Sequence, residues 1–242
     1  MGTLTLIRHG QASALSADYD KLSPLGEEQA RRLGQEWARR RTVFEQVYYG
    51  PRQRQRRSAE LSLEACAEAG GARMTSLPLP ALDEFRIEPL QREFPRLAQE
   101  RDDLRAYVPG FDPEAEPTLR MAALQKIGAV LLRLWVNGEI AADGAERWTD
   151  FRARVEGAVN EMVGAAGPRA RVAAFTSAGV IGACAQRALG LDGDRSLDLM
   201  LLVRNASLTE FLYARPAGER FSLASFNEVA HLAGEDGLVT LL

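Results

Sequence analysis

The chain has 242 residues, 46% of them hydrophobic and 26% charged, and its formal net charge is −3 at pH 7. This length and composition are typical of one soluble α/β domain, or of one domain with a large insertion. So small a charge creates no field that would favour nucleic acid or an anionic membrane, and we expect neither as a partner.

Several features of the sequence indicate a cytoplasmic protein. The apolar stretches, such as residues 127–136, are too short to span a bilayer. The N-terminus runs directly into a strand pattern, without the basic and apolar regions of a signal peptide. Cys66 and Cys184 lie far apart in apolar, helix-like runs, which predicts two buried free thiols in a reducing compartment.

The N-terminal part of the chain alternates between predicted strands and helices. Residues 3–7 alternate in polarity and indicate a β-strand. Ser23 and Pro24, followed by an acidic first turn, are typical of a capped helix start, and we expect this helix to run to about Arg41. The next predicted elements are a strand over 43–49, a helix over 58–69 and a strand over 74–79.

The middle of the chain has a different character. From about Phe85 to Glu146 the pattern is helical, interrupted by prolines, and contains no clear strand; residues 121–136 give the strongest helix signal. We interpret residues 86–146 as a helical insertion in a single domain spanning 1–242. This insertion could cover the mouth of a site and set substrate choice, or its apolar helix could form a homodimer face.

The alternation returns towards the C-terminus. A helix is predicted over 148–163, a strand over 171–175 and a helix from just after Ser177 to about Leu189. Further strands are predicted over 197–203, 207–213 and 221–226. Together these elements predict an α/β fold: a three-layer αβα sandwich around a mostly parallel sheet, with the helical insertion near the C-terminal ends of the strands.

Polar side chains gather where the predicted strands end, which is where ligands bind in open α/β sheets. Four such junctions are Arg8-His9-Gly10, Arg54, Asp83-Glu84 and Thr176-Ser177-Ala178-Gly179. A neutral imidazole is a competent nucleophile towards phosphorus, and a guanidinium can neutralise phosphoryl oxygens. The small, hydroxyl-bearing turn starts a helix whose free N–H groups would face an anion. These junctions therefore suit a phosphate site.

The stretch LIRHGQAS, followed by LSPLGEEQARRLG, resembles the opening of the histidine phosphatase superfamily, which has the phosphoglycerate mutase-like fold. In that family the Arg-His-Gly motif supplies the phosphorylated histidine and a phosphate-binding arginine, which implies these roles for His9 and Arg8. A second motif, Ser-Ser-Pro-Leu-x-Arg-Ala-x-x-Thr-Ala-Glu, aligns with residues 49–60 and implies phosphate contact by Arg54. By residues alone, Arg54 could instead belong to a solvated helix face.

The remaining candidates also follow from the resemblance. The family's acid lies in a Leu-x-Glu turn, which implies Glu84, with Asp83 as its competitor. Gln11 and Ser13, in the loop after the histidine, are candidates for contact with phosphate or substrate. His231 falls in a separate C-terminal part of the family pattern, where we expect a structural role.

One part of the resemblance fails. The family has a second histidine in a Ser-His-Gly-Gly turn, where it donates to the transferring phosphoryl oxygens, and Ser177 stands at that position. Loss of one such donor typically costs ~10²–10³ in rate, although a serine hydroxyl can still donate one neutral hydrogen bond. Ser177 could also serve only as a helix N-cap. We expect the exchange Ser177→His to raise activity.

The resemblance implies a phosphomonoester hydrolase that works through a phosphohistidine, with Glu84 as acid and base and with no metal or cofactor. Its ligand would be a small-molecule phosphate ester or inorganic phosphate. Two alternatives remain open: phosphoryl transfer of the phosphoglycerate mutase type, and a non-catalytic phospholigand-binding protein, which the serine at position 177 supports.

Overall fold

The computed structural model describes residues 1–13, 20–111, 114, 116–214, 220–234 and 237–241. The strands are β1 (Gly2–Arg8), β2 (Gln46–Tyr49), β3 (Ser76–Pro78), β4 (Arg171–Thr176), β5 (Leu208–Tyr213) and β6 (Phe221–Glu228). The helices are α1 (Pro24–Arg39), α2 (Gln53–Glu68), α3 (Glu88–Arg92), α4 (Phe94–Glu100), α5 (Asp102–Arg105), α6 (Val108–Phe111), α7 (Pro117–Val136), α8 (Trp148–Ala165), α9 (Ala178–Leu189) and α10 (Gly193–Leu202).

These strands form one six-stranded sheet in the order β3-β2-β4-β1-β5-β6. The first four strands of this order run parallel, whereas β5 is antiparallel to β1 and β6 is antiparallel to β5. Helices connect the parallel strands and cover the sheet. The predicted α/β fold around a mostly parallel sheet is confirmed.

Strand β1 is buried on both faces of the sheet. Leu4 and Leu6 pack into the large apolar core that also includes residues of α7 to α10, while Ile7 packs on the opposite side with Leu33 and Trp37 of α1. This division follows from the two-residue period of a strand, which sends successive side chains to opposite faces. Because β1 is held on both faces, it fixes the position of the residues that follow it, His9 and Gly10.

The prediction of a strand over 197–203 is wrong. Most of this segment belongs to helix α10, whose start is capped by Asp192: the carboxylate accepts a hydrogen bond from the Arg195 amide at 2.9 Å. Ser196, Leu197 and Met200 form its buried face. A short apolar run does not distinguish a strand from a helix by periodicity alone, and the aspartate cap decided the outcome.

Helix α2 begins at Gln53, five residues before the predicted start. The side chain of Gln55 accepts a hydrogen bond from the Arg52 amide at 3.1 Å, which satisfies one of the free N–H groups of the helix start. The earlier start places Arg54 in the first turn of α2, directly after β2. Strands β2 and β3 are shorter than their predicted ranges.

Aromatic packing joins the helical segment in the middle of the chain to helix α8 and to the residue after Glu84. Trp135 of α7 contacts Trp148 of α8 at a ring-centroid distance of 5.1 Å, and Phe85 contacts Trp135 at 4.8 Å and Phe151 at 5.7 Å. Phe85 directly follows Glu84, so this cluster anchors the turn that carries the predicted acid.

Both cysteines are buried and free, as predicted. Burial raises the pKa of the Cys184 thiol to about 12, so it stays protonated. Within the described residues, no helix is both long and apolar enough to cross a bilayer.

Candidate active site

Parallel pairing of β1 with β4 brings two of the predicted site residues to one edge of the sheet. Arg8 is in register with Thr176, and the His9 amide donates to the Thr176 carbonyl oxygen at 2.9 Å. Because parallel strands have their carboxyl ends at the same edge, His9 and Ser177 leave the sheet side by side. Strand β2 ends at this edge too and leads through Gly50 to Arg54.

The imidazole of His9 is held in one tautomer. The ring is 5% exposed, and its Nδ1 atom lies 2.7 Å from the Gly10 carbonyl oxygen, which can only accept a hydrogen bond. Its Nε2 atom accepts from Nε of Arg54 at 3.0 Å. Both contacts require a hydrogen on Nδ1 and a lone pair on Nε2, so the neutral ring presents Nε2 as a nucleophile.

The environment also keeps this imidazole neutral. Burial lowers the pKa of His9 well below 6.5, and the positive charges of Arg8 and Arg54 lower it further, while the bond to the Gly10 carbonyl opposes these effects. A protonated imidazole could not act as a nucleophile. Burial and the two arginines together therefore keep the His9 ring neutral at neutral pH.

Arg54 is the buried member of the arginine run at the start of α2. It is 8% exposed, and besides its bond to His9 it donates from an Nη atom to the Asp20 carboxylate at 2.8 Å. Arg56, by contrast, is largely exposed and pairs with Glu60 of the same helix. The alternative of a solvated face thus applies to Arg56 and not to Arg54.

Main-chain carbonyl groups hold the guanidinium of Arg8. One Nη atom donates to the carbonyl oxygen of Val203 and to that of Leu241, the latter at 2.7 Å. The Arg8 charge adds to burial in lowering the pKa of His9, and it is the smallest of the effects that oppose the rise in the pKa of Glu84 caused by burial. Direct contact between Arg8 and a phosphate remains a prediction.

Glu84 lies at the start of helix α9. Its Oε2 atom accepts from the Gly179 amide at 2.9 Å, and Oε1 accepts from the Phe85 amide at 3.0 Å. A Cβ atom on residue 179 would lie 2.1 Å from Oε1, so only glycine leaves room for this approach. Close packing of the carboxyl group against the first turn of α9 places it beside the turn that contains Ser177.

Burial raises the pKa of the Glu84 carboxyl group, against the opposing effects of the two amide hydrogen bonds and of Arg54 and Arg8. A carboxyl group with a raised pKa can hold a proton and donate it. Asp83 is engaged differently: it pairs with Arg52 at 2.5 Å and accepts from the Glu84 amide. The geometry favours Glu84 over Asp83 as the acid.

Ser177 occupies the N-cap position of α9 and is buried. Its hydroxyl group does not bond to the first turn of the helix. Instead, Oγ accepts a hydrogen bond from Nε2 of Gln55 at 2.8 Å. Side-chain capping of α9 is therefore not the role of Ser177.

Gln11 and Ser13 make contacts within their own loop and with the start of α1. The side-chain oxygen of Gln11 accepts from the Ser23 hydroxyl at 2.9 Å, and the Ser13 hydroxyl donates to the Leu22 carbonyl oxygen at 3.1 Å. These bonds organise the loop after His9. Phosphate contact by either residue stays a prediction.

Sequence analysis missed several residues that shape the site. Asp20 pairs with Arg54, Gln55 bonds to Ser177, and Ser58 accepts from the Gly10 amide at 3.0 Å. The Ala206 amide donates to the His9 carbonyl oxygen at 3.2 Å. The second motif held signals for two of them: Gln55 replaces its alanine, and Ser58 stands at its threonine.

His231 lies elsewhere and does not take the place of Ser177. It lines a separate cavity of about 240 Å³ with residues of α1, β5 and β6, and burial lowers its pKa to about 4. Across the described ranges, no three histidine, cysteine, aspartate or glutamate side chains lie where they could hold a metal ion together.

Comparison with known proteins gives one family and several structural relatives. Residues 4–228 match the model of the histidine phosphatase superfamily (branch 1). Mycobacterial glucosyl-3-phosphoglycerate phosphatase in complex with inorganic phosphate is 20% identical with a TM-score of 0.64, over 96% of this chain and 100% of that one. Phosphoglycerate mutase from Bacillus anthracis str. Sterne is 18% identical with a TM-score of 0.63, over 95% and 94%. At these identities the likeness shows the fold. No curated protein sequence matches significantly.

The geometry of His9 predicts its titration. In ¹⁵N spectra we expect Nδ1 to carry the hydrogen and Nε2 to stay unprotonated at neutral pH and still at pH 6.5, because burial and two arginines oppose protonation. The variant His231→Gln leaves His9 as the one histidine and assigns its signals. Protonation of His9 with a midpoint at or above 6.5, the ordinary value, would contradict the structure.

Proposed function

The chain belongs to the histidine phosphatase superfamily, and from this membership and the geometry of the site we propose that it hydrolyses phosphomonoesters through a phosphohistidine on His9. One observation carries the proposal: a buried neutral imidazole directs the lone pair of Nε2 to the side chain of Arg54. The proposed substrate is a small-molecule phosphate ester, and the product that remains is inorganic phosphate.

In the first step, Nε2 of His9 attacks phosphorus in line with the bond to the leaving oxygen. The new N–P bond forms as the O–P bond breaks, and Glu84 gives its proton to the leaving oxygen. Arg54 and Arg8 offset the negative charge of the equatorial oxygens. This step converts the ester into an alcohol and a phosphohistidine.

In the second step, water attacks the phosphorus of the phosphohistidine. Glu84, now a carboxylate, takes a proton from the water as the N–P bond breaks, which regenerates the neutral imidazole and releases inorganic phosphate. Neither step calls for a metal ion, since the guanidinium groups supply the positive charge.

We propose further that Ser177 stands where other members have a second histidine. Its position at the start of α9, between the strand end that contacts His9 and the amide that contacts Glu84, supports this assignment. A neutral hydroxyl is a weaker donor to phosphoryl oxygens than a positioned imidazolium, so we expect slower turnover than in members with both histidines.

The same substitution favours hydrolysis over the mutase alternative. A mutase must keep its phosphoenzyme intact while a substrate turns or exchanges, which requires the phosphoryl group to be held tightly. Ser177 would hold it less tightly. We also propose that residues 86–146 form an insertion in a single domain and influence substrate choice, which the packing of Phe85 beside Glu84 supports.

A chromogenic ester, p-nitrophenyl phosphate, tests the proposal. We expect turnover by the wild type, none above background by His9→Ala, and a loss of ~10²–10³ in kcat/KM for Arg54→Ala, because a charge facing the phosphoryl oxygens is removed. Arg56→Ala, two residues along the same helix, is the matched control and should change kcat/KM by less than about twofold.

If the wild type gives no more turnover than His9→Ala, the hydrolase proposal fails. Binding of inorganic phosphate by that inactive protein would then favour the non-catalytic phospholigand-binding alternative. Equal losses of kcat/KM for the Arg54 and Arg56 variants would contradict contact between Arg54 and the phosphoryl group.

The role of Glu84 predicts a dependence on the leaving group. Glu84→Gln should reduce kcat with an alkyl phosphate by ~10²–10⁴, because an alkoxide leaves poorly without a proton, and should reduce it much less with p-nitrophenyl phosphate. Asp83→Asn is the matched control and should affect both esters alike. Equal losses on the two esters for Glu84→Gln would contradict the assignment of Glu84 as the acid.

A further inference from the structure

The side chain of Gln55 is fully buried between Arg52, Leu82 and Ser177. Its Oε1 atom accepts from the Arg52 amide at 3.1 Å, and its Nε2 atom lies 3.4 Å from the Leu82 carbonyl oxygen and 2.8 Å from Oγ of Ser177. An amide N–H must face an oxygen and a carbonyl must face a donor. The two main-chain contacts therefore fix which end of the glutamine amide meets Ser177.

This orientation sets the direction of the hydrogen bond at Ser177. Because Nε2 of Gln55 is a donor, the Ser177 oxygen accepts, and its single hydrogen is left to donate elsewhere. Among the residues that the structure describes, no acceptor takes that hydrogen. This hydroxyl group follows Thr176, whose carbonyl oxygen accepts from the His9 amide, and precedes Gly179, whose amide donates to Glu84.

Three residues that differ from the family motifs lie together here. The motif residues serine, alanine and histidine are replaced by Gly50, Gln55 and Ser177. A Cβ atom on residue 50 would lie 2.2 Å from Oε1 of Gln55 and 2.8 Å from the Leu82 carbonyl oxygen, so the glutamine side chain and the main chain both leave room only for glycine there. The glutamine also requires a small side chain at position 177, given the 2.8 Å contact. The three positions fit one another as a set.

We infer that Gln55 is a positioning residue that holds Ser177 as a hydrogen-bond donor to the transferring phosphoryl group, so that the pair takes over part of the work of the missing histidine. This inference rests on the proposed function and deepens it. It also changes the expectation from the sequence: a histidine ring that followed the direction of the Ser177 side chain would meet Nε2 of Gln55, which lies 2.8 Å from Oγ, so we expect Ser177→His alone to lower activity.

A double-mutant cycle tests the pairing. The four proteins are the wild type, Gln55→Met, Ser177→Ala and the double variant, and the readouts are kcat/KM for p-nitrophenyl phosphate and the Kd of inorganic phosphate. Each single exchange should lower kcat/KM and raise the Kd of phosphate by about 3- to 10-fold, the loss expected for one neutral hydrogen bond. The double variant should lose no more than the worse single variant, because both remove the same donor.

Gln53→Met is the matched control, since Gln53 lies in the same turn of α2 with its side chain exposed. It should behave as the wild type. If the effects of Gln55→Met and Ser177→Ala multiply, Gln55 supports the fold without acting through Ser177, and the inference is overturned. It is also overturned if Gln55→Met leaves both readouts unchanged.

A second comparison exchanges Ser177 and Gln55 together. Ser177→His combined with Gln55→Ala should exceed Ser177→His alone by at least about 10-fold in kcat/KM, because the alanine makes room for the ring. An equal or higher activity of the single variant would mean that Gln55 does not restrict position 177, contrary to the inference.

The two readouts separate failure of this inference from failure of the proposed function. A wild type that binds phosphate without turnover above His9→Ala contradicts the hydrolase, and the cycle is then judged by phosphate Kd alone. A wild type with turnover and multiplicative losses contradicts only the role of Gln55. Absence of both turnover and phosphate binding overturns both.

Discussion

The hydrogen bond from Nδ1 of His9 to the carbonyl oxygen of Gly10 decides what the site can do. It fixes one tautomer of a buried ring and leaves the lone pair of Nε2 directed at Arg54. The Gly10 carbonyl belongs to the main chain directly after β1, which is locked between β4 and β5. The orientation of the proposed nucleophile is thus set by the main chain at the end of a central strand.

Two guanidinium groups link the electrostatics of the site. Arg8 and Arg54 lower the pKa of His9 and oppose the rise in the pKa of Glu84 that burial causes. Burial is the main cause that keeps the imidazole neutral, and the two guanidinium groups add to it; burial also favours the protonated carboxyl group of Glu84, against their charge. A neutral imidazole beside a carboxyl group that tends to hold its proton is the pairing that a nucleophile and a general acid need. Asp20 offsets part of this positive charge through Arg54.

Local patterns in the sequence predicted the elements that position the site. The alternation over 3–7 gave β1, and Ser23 with Pro24 gave the start of α1, where the serine hydroxyl accepts from the Gly26 amide. The motif around His9 led to Arg54 and Glu84. The apolar run of α10 has no clear period and also fits a strand, whereas the cap at Asp192 is the local feature that marks a helix start.

The remaining features of the site depend on contacts between distant parts of the chain. Gln55 and Ser177 are 122 residues apart in sequence, and their hydrogen bond exists only because β2 and β4 are neighbours. Gln11 and Ser13 were chosen for their position in the loop, yet their bonds join the loop to α1. A single sequence does not contain this geometry, since it arises from the packing of the sheet and its helices.

Trapping of the phosphorylated enzyme tests the central claim most directly. Protein mixed with a ³²P-labelled phosphate ester, quenched in base and digested should carry the label on Nε2 of His9, and the label should be lost in acid, because a phosphoramidate bond is acid-labile. His9→Ala should carry none. Turnover without a labelled histidine, or a label on any other residue, would contradict the account.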